Sequence, residues 1–383
     1  MMHRPHGGKL VNRVLDEKRA EEIKKMDGRL PEVALSHEKI QDVFNIANGV
    51  YSPLEGFMNE EDYKSVIIRS RLASDLAWTI PVVLDVDSKV GKNFKHGDNV
   101  LLKDETGNII ALLTVWDAYN YDKTEYAKSV FGTDDPDHPG VKKVFEMKDV
   151  FVGGVIDFAG EPESTFEKHI LLPKETRVLF KEKGWTDVAG FQTRNIPHVG
   201  HEYVQKTALS FVDGVFINPV IGKKKAGDFK DEVILEAYDE LIKHYFLKER
   251  VVMSVLLTEM RYAGPKEAVF HAIVRKNFGC THFIIGRDHA GVGNYYSPFA
   301  AHEIFDHFPD LEIIPIFFKS FFYCKKCSGI SNDKTCPHGD EERINFKGTE
   351  IRNMLQKGQV PPESMIRSEV AEVVLSHKHP FVG

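Results

Sequence analysis

An alternation of short apolar strands with amphipathic helices, running through residues 172–318, constrains the fold more than any other feature. The predicted strands are 188–191, 214–220, 250–257, 281–286 and 311–318, and the predicted helices are 198–212, 231–246, 265–278 and 297–307. This pattern predicts a parallel α/β sheet covered on both faces, with ligands at the carboxyl ends of its strands. A turn at residues 260–265 also follows a strand, and both a pocket-wall role and a purely structural role stay open for it.

A polar motif follows the first of these strands, in residues 190–202, G-F-Q-T-R-N-I-P-H-V-G-H-E. We predict a helix that begins near Pro197, because proline suits the first helical turn. His198 and His201 then share one face of that turn, beside free backbone N–H groups and the positive end of the helix dipole. A single histidine on a helix is more often packed or solvated than catalytic. Two at this spacing indicate a phosphate site of the kind used in nucleotidyl transfer.

Further anion-binding side chains follow two of the strands. Gln192 and Arg194 precede the helix of the first motif and can donate from the strand end. The segment 285–293, I-G-R-D-H-A-G-V-G, places Arg287 and His289 after another strand. Glycines allow close backbone approach to a phosphate or sulfate, and arginine offers a planar fork for a tetrahedral anion. Together the two motifs predict one anion-binding site at one edge of the sheet.

The region before this alternation, residues 30–158, carries short apolar elements separated by turns, which predicts a mainly β domain. The predicted elements are a helix within 14–25, a strand at 79–86, hairpin turns at 96–98 and 105–108, paired strands at 100–102 and 109–115, and a surface loop at 134–140. We place a domain boundary near residues 160–163.

A cluster of metal-ligating residues opens the last part of the chain, which begins near residue 319. Cys324, Cys327, Cys336 and His338 form C-x2-C-x8-C-x-H. Four soft ligands at this spacing suit a closed, structural tetrahedral Zn²⁺ site. A redox C-x-x-C pair is the alternative, but it would not need the later cysteine and histidine. The remaining cysteine, Cys280, reads as a small core residue.

Composition limits the classes of function. A chain of 383 residues favours two or three domains, and 42% hydrophobic with 28% charged residues is ordinary for a globular protein. A formal net charge of -7 argues against broad binding to nucleic acid or anionic membranes. The sequence shows no membrane-length apolar run and no hydrophobic export signal, and its four cysteines do not form a disulfide scaffold. We therefore expect a reduced, cytoplasmic protein.

These motifs, in this order, resemble those of the ATP sulfurylase family, and the resemblance covers nearly the whole chain. Its blocks are H-G-G with L-V-N-R at 6–13, S-P-L-E-G-F-M at 52–58, Q-T-R-N with two histidines at 192–201, N-P-V-I-G at 218–222, residues 260–268, G-R-D-H-A-G at 286–291 and G-T-E-I-R at 348–352. The chain departs from the family at Ile196, which separates asparagine from proline, and at Val199 and Gly200. Lys347 replaces a common serine. We find no G-x-x-x-x-G-K-[ST] motif and expect no fused adenylylsulfate kinase domain.

The resemblance implies an N-terminal PUA-like β domain over 1–160, a central Rossmann-like nucleotidyltransferase α/β domain over 161–318 and a small C-terminal domain with a zinc-binding loop over 319–383. It implies the reversible reaction of ATP with sulfate to give adenosine 5′-phosphosulfate and pyrophosphate, with Mg²⁺. We expect direct in-line attack on the α-phosphate, because sulfate is already a dianion and needs no general base. The family also suggests a homodimer.

The resemblance also implies roles for residues at the two central motifs. The implied sulfate ligands are Gln192, Arg194 and the backbone at Ala290. The implied ATP ligands are Gln192, Asn195, His198, His201, Gly286, Arg287, Asp288 and His289. The implied catalytic set is Thr193, Arg194, Asn195, His198 and His201. Our own mechanistic hypothesis adds that Arg287 and Mg²⁺ assist the departing pyrophosphate.

Two other functions stay open on the sequence. One is a different H-x-G-H nucleotidyltransferase that joins ATP to an organic acceptor, although Gln192 and Arg194 favour a small inorganic acceptor. The other is RNA binding, since PUA-like domains can bind RNA. The acidic charge balance and the lack of a basic, aromatic-rich stripe disfavour it.

Overall fold

The computed structural model describes residues 4–160, 166–346 and 348–383. Its first part is built on a mixed sheet of short strands. These are β1 (Glu32–Ala34), β2 (Gly56–Phe57), β3 (Leu84–Val86), β4 (Asn99–Lys103), β5 (Ile109–Asn120) and β6 (Val150–Phe158). The strand order is β1-β4-β5-β6-β2, with β3 also paired to β6. All pairs are antiparallel except β1 with β4.

Helices pack around this sheet in greater number than the sequence analysis predicted. They are α1 (Glu17–Lys24), α2 (His37–Ala47), α3 (Glu60–Arg69), α4 (Ser88–Gly91), α5 (Lys123–Phe131) and α6 (Pro139–Glu146). Their starts carry local capping signals: Asn59 accepts from the N–H of Asp62, and Asp122 accepts from that of Glu125. The expected helix within 14–25 is confirmed as α1.

The hairpin expected around residues 105–108 is confirmed, because β4 and β5 pair antiparallel across it. The hairpin turn expected at 96–98 is wrong, since the preceding strand β3 pairs with β6 and not with β4. The strand expected over 79–86 is shortened to Leu84–Val86. The residues before it contact another part of the molecule, where the Thr79 hydroxyl donates to the carbonyl of Lys266 at 2.5 Å.

The predicted parallel sheet is confirmed in the second part of the chain. Its strands are β7 (Val188–Thr193), β8 (Gly214–Ile221), β9 (Val251–Met253), β10 (Leu256–Leu257), β11 (His282–Ile285) and β12 (Ile314–Phe317). The order is β10-β8-β7-β11-β12, with β9 also on β8, and every pair is parallel. All residues of β8 are buried, as expected for a strand covered on both faces. The strand expected over 250–257 is split into β9 and β10.

The helices that cover this sheet follow the predicted alternation. They are α7 (Pro173–Glu182), α8 (Val199–Leu209), α9 (Asp231–Tyr245), α10 (Pro265–Phe278) and the short α11 (Ala300–Glu303). Short 3₁₀ turns span Glu167–His169, Lys248–Arg250, Ile304–His307 and Asp340–Glu342. The helix expected over 297–307 is therefore α11 followed by a 3₁₀ turn. Almost all of α10 is buried.

The last part of the chain forms a small antiparallel sheet and two helices. The strands are β13 (Phe322–Cys324), β14 (Gly329–Ser331) and β15 (Arg343–Asn345), and the helices are α12 (Gly348–Gln356) and α13 (Ser368–Ser376). Buried residues of these helices, such as Ile351 and Val370, join the hydrophobic core formed by β7, β8 and α9. Within the described residues, no helix combines the length and apolar character needed to cross a membrane. The boundary expected at 160–163 lies largely outside the described residues.

Candidate active site

A cavity of about 550 Å³ lies at the carboxyl ends of β7 and β11. Six of the predicted site residues line it: Gln192, His198, His201, Gly286, Arg287 and His289. The opposite wall comes from the segment after β12 and from the end of β15, through residues 318–321 and 345–346. The two motifs that the sequence places after separate strands therefore meet in one cavity, as the parallel topology requires.

His198 and His201 lie at the start of α8. The helix begins at Val199, and His198 is its N-cap, with Nδ1 accepting from the N–H of His201 at 3.3 Å. The two rings stack with centroids 3.7 Å apart. Burial and the neighbouring His201 lower the pKa of His198 well below its ordinary value, and burial lowers the pKa of His201 to about 4. Both imidazoles are thus neutral at neutral pH, so each ring carries one N–H and one bare nitrogen.

Gln192 and Arg194 lie beside each other in the chain but contact different spaces. Gln192 lines the large cavity, and among the described residues its buried Oε1 has no hydrogen-bond partner. Arg194 lines a small neighbouring pocket of about 20 Å³ with Lys223. Its Nη1 donates to the Tyr262 hydroxyl at 3.0 Å, and its guanidinium lies 5.2 Å from the Tyr262 ring centroid. The arginine is held at the strand end, in a pocket that Lys223, Lys224 and Asp228 also line.

Thr193 and Asn195 shape the turn between β7 and α8. The Thr193 hydroxyl accepts from the N–H of Asn195 at 3.2 Å. The Asn195 side-chain oxygen accepts from Arg352 at 3.1 Å, and Arg352 also pairs with Asp228 at 3.4 Å. The G-T-E-I-R block thus reaches the first motif through Arg352, a residue for which the sequence analysis named no role. Lys347, whose role it left in doubt, lies outside the described residues.

The loop after β11 turns through the left-handed region of backbone conformation. Asp288 and Ala290 have φ of 54° and 56°, and the Ala290 carbonyl accepts from the N–H of Gly264 at 3.1 Å. A Cβ at Gly291 would lie 2.0 Å from an Asp288 carboxylate oxygen, so a side chain there would require the Asp288 carboxylate to move. Burial raises the pKa of Asp288. Asp288 and Ala290 lie in the chain beside the cavity-lining residues Arg287 and His289.

Aromatic side chains that the sequence analysis missed complete the cavity. The Phe346 ring lies nearly parallel to that of His198 at 5.9 Å, and Phe321 lies 5.8 Å from Phe346. Tyr262, in the turn for which two roles stayed open, contacts Arg194. No local pattern marks Phe321 and Phe346, since both reach the cavity from a distant part of the chain.

The predicted metal ligands come together beside β13. One ligand atom from each of Cys324, Cys327, Cys336 and His338 lies within 4.8 Å of the others. The Cys327 and Cys336 sulfurs are 3.8 Å apart, and His338 Nδ1 is 3.3 Å from the Cys324 sulfur. Ligands about 2.3 Å from a tetrahedral ion lie roughly 3.8 Å from one another, so the set fits a metal ion. The cluster joins β13 to the loop before β15, and these strands carry the aromatic cavity wall.

A parallel sheet with histidine, arginine and glutamine side chains around one cavity at its strand ends defines a nucleotide-binding α/β protein. Comparison with known families identifies it further. The ATP-sulfurylase family model matches residues 167–377 and a PUA-like domain model matches residues 3–161. The chain belongs to the ATP-sulfurylase family, and the PUA-like fold expected for its N-terminal part is confirmed.

Individual relatives agree with this assignment. The chain is 56% identical over 382 residues to the sulfate adenylyltransferase of Staphylothermus marinus, with both chains covered completely. It is also 56% identical over 382 residues to that of Hyperthermus butylicus, covering 98% of that protein. Among solved structures, a hexameric APS kinase from Thiobacillus denitrificans matches 99% of this chain and 69% of its own with a TM-score of 0.77. At 21% identity, that likeness shows the shared fold alone.

Proposed function

We propose that the protein is a sulfate adenylyltransferase, which converts ATP and sulfate into adenosine 5′-phosphosulfate and pyrophosphate in a reversible reaction. The observation that carries the proposal is the single cavity that gathers Gln192, His198, His201 and Arg287 from two strand ends. Relatives at 56% identity over the full length carry this name.

The chemistry needs positioning and charge neutralisation more than proton transfer. Sulfate is a dianion at neutral pH, and it must approach an α-phosphate that is also negative. Preorganised donors and cations around such a centre lower the barrier because they stabilise charge that develops in the transition state. Direct in-line attack of a sulfate oxygen on the α-phosphorus then forms one P–O bond as the bond to pyrophosphate breaks.

Each predicted residue takes a role in this scheme. Gln192, Arg194 and the backbone at Ala290 hold sulfate, which would lie where the large cavity meets the small pocket that Arg194 lines. Thr193, Asn195, His198 and His201 form the catalytic surface around the ATP phosphates together with Arg194, and Gly286, Arg287, Asp288 and His289 line the nucleotide. The low pKa of His201, about 4, leaves its ring neutral in the free protein. A bound polyphosphate would favour the charged ring, so ATP binding should strengthen these contacts.

Metal ions would supply two separate functions. Mg²⁺ enters with ATP and neutralises phosphate charge when bound. The Cys324, Cys327, Cys336 and His338 set suits Zn²⁺, because thiolate ligands and tetrahedral spacing favour it, and a fourth protein ligand leaves no open position for catalysis. We further propose three domains at 1–160, 161–318 and 319–383, a homodimer, and a cytoplasmic location.

The reaction is tested with radiolabelled sulfate. Incubation with Mg-ATP and pyrophosphatase should move label into a nucleotide that co-migrates with adenosine 5′-phosphosulfate. A parallel incubation offers labelled ATP with organic mononucleotide acceptors in place of sulfate. Label transfer to an organic acceptor without transfer to sulfate would replace the proposal by another nucleotidyltransferase activity.

A further inference from the structure

Two buried side chains, Glu267 and His271, and the partly buried His289 form a chain of hydrogen bonds that ends at the cavity. Glu267 and His271 lie one turn apart on α10, with their side chains 1% and 2% exposed. A Glu267 oxygen lies 3.3 Å from His271 Nε2, and His271 Nδ1 lies 3.2 Å from Nε2 of His289. Because His289 lines the cavity, the proton positions along this chain decide what the cavity offers a ligand.

The first member of the chain can only accept hydrogen bonds. Glu267 accepts from the N–H groups of Arg261 at 2.9 Å and Ala263 at 3.0 Å, as well as from His271. Burial alone would raise its pKa, but the contact with His271 and these backbone donors lower it below the ordinary value. The carboxylate is therefore ionised, and His271 must carry its proton on Nε2.

The second and third members are neutral rings. Burial lowers the pKa of His271; the contact with Glu267 opposes this, the cations Arg275 and Arg261 add to it, and the pKa stays below its ordinary value. Burial and the neighbouring His271 lower the pKa of His289 well below its ordinary value. A neutral His271 with its proton on Nε2 has a bare Nδ1, which accepts from Nε2–H of His289. The remaining nitrogen of His289, Nδ1, is then also bare.

We propose that Glu267 and His271 are positioning residues that fix His289 as its Nε2–H tautomer, so that Nδ1 presents a hydrogen-bond acceptor to the ligand. Phosphate and sulfate oxygens are acceptors at neutral pH and cannot bond to a bare nitrogen. The acceptor therefore recognises a donor on the nucleoside, either the 6-amino group of the base or a ribose hydroxyl. This assignment of the ligand rests on the proposed function, whereas the tautomer does not.

The tautomer is measured directly on the free, full-length protein. Long-range proton–nitrogen correlation spectra of ¹⁵N-histidine-labelled protein separate protonated from bare ring nitrogens, and the His289→Asn variant identifies the signal of His289. We expect a protonated Nε2 and a bare Nδ1. A protonated Nδ1, or a charged ring at neutral pH, would overturn the proposal. If the protein shows the expected tautomer but does not use sulfate, the proposed function is refuted and the hydrogen-bond chain that fixes His289 still stands.

The ligand is tested with triphosphates that lack one donor each: the 6-amino group, the 2′-hydroxyl or the 3′-hydroxyl. A buried polar group left unpaired costs about 1–3 kcal/mol, which is roughly a 5- to 150-fold loss in kcat/KM. One analogue should show this loss with the wild-type protein. In Glu267→Gln an amide nitrogen at the Oε1 position would donate to His271 and reverse the proton order, and it would leave the N–H of Arg261 unpaired. The kcat/KM for ATP should then fall to the level of that analogue, while the kcat/KM for the analogue changes little.

Two further variants keep the test decisive. Exposed Glu303 on α11 provides the matched control Glu303→Gln, which should preserve discrimination between ATP and the analogue. If Glu267→Gln fails to fold, His271→Gln replaces it. Its amide can offer His289 either a donor or an acceptor, so the discrimination between ATP and the analogue should weaken. An equal loss for ATP and every analogue in the folded variants would show a structural role only and overturn the proposal.

Discussion

The proposed sulfate site depends most on the positive charge of Arg194. Among the described residues, no carboxylate forms an ion pair with it, and the contact that orients it is the 3.0 Å hydrogen bond to the Tyr262 hydroxyl. Lys223 and Lys224 line the same small pocket, where Lys224 is paired with Asp231 at 2.8 Å. Asp228 also lines the pocket but pairs with Arg352, so the charge of Arg194 is available to an anion.

Replacing Arg194 by alanine removes this charge from the site. Loss of one preorganised electrostatic contact costs about 10²–10³ in turnover, or roughly 2.7–4 kcal/mol. Tyr262→Phe removes only the orienting hydrogen bond and keeps the ring contact. Its cost should be about 0.5–1.5 kcal/mol, which is roughly a 2- to 12-fold loss. Arg194→Lys keeps a charge without the planar fork and should fall between the two.

The assay is pyrophosphate release at saturating Mg-ATP over a range of sulfate concentrations, with Tm measured for each variant. Arg69→Ala on α3 removes an arginine whose side chain is 50% exposed and should leave turnover unchanged. The loss of turnover should be smallest in Tyr262→Phe, intermediate in Arg194→Lys and largest in Arg194→Ala, and Tm should not fall in parallel. Near-normal turnover of Arg194→Ala would refute the reasoning, as would a loss explained by unfolding.

Three further predictions concern the parts that support the site. Arg367 makes a two-point contact with buried Glu202 at 2.8 and 2.9 Å, so Arg367→Ala should lower the free energy of unfolding by about 1.5–3 kcal/mol, measured by urea denaturation. Metal removal by a chelator, or Cys336→Ser, should lower Tm and weaken ATP binding in calorimetry, because the small sheet that carries Phe346 loses its cross-link. The pKa of His201 is about 4 when folded and ordinary when unfolded, so the unfolded state binds the extra proton between these values. Stability should therefore fall as pH drops from about 6.5 toward 4, by up to about 3 kcal/mol from this group, and His201→Asn should reduce that slope in denaturation curves.

Each of these has an outcome that would contradict it. An unchanged urea midpoint in Arg367→Ala would show that Lys206, which contacts Glu202 at 2.6 Å, compensates fully. If ATP affinity is unchanged after complete metal removal, the metal cluster does not support the cavity wall. An identical pH slope in His201→Asn would assign the acid sensitivity to other groups, such as His6, whose pKa burial and Lys276 also lower to about 4.

The sequence predicts the parts of this molecule in which one periodic signal dominates. The parallel sheet follows from continuous apolar strands such as β8, which is buried on both faces. The convergence of the 192–201 and 286–291 motifs follows from topology, because parallel strand ends share an edge. In the N-terminal part, short strands and capped helices such as α3 alternate without one period. Reading the turns alone missed the helices, although cap residues such as Asn59 were visible.

The site itself could be predicted only where its residues are local in sequence. Tyr262, Phe346 and Arg352 reach it from other elements, and their types have no special meaning outside the fold. The separation of Gln192 from Arg194 was also beyond pattern reading. It depends on where the chain turns after β7, which the contacts of the Thr193 and Asn195 side chains decide.

The most direct test of the central claim is oxyanion-dependent pyrophosphate release from Mg-ATP by the metal-loaded protein. We predict little release from ATP alone, release on addition of sulfate, and continuous breakdown of ATP to AMP with molybdate, whose mixed anhydride with AMP is hydrolysed at once. Absence of release with both anions, from protein shown to be folded, would contradict adenylyl transfer to sulfate at this cavity.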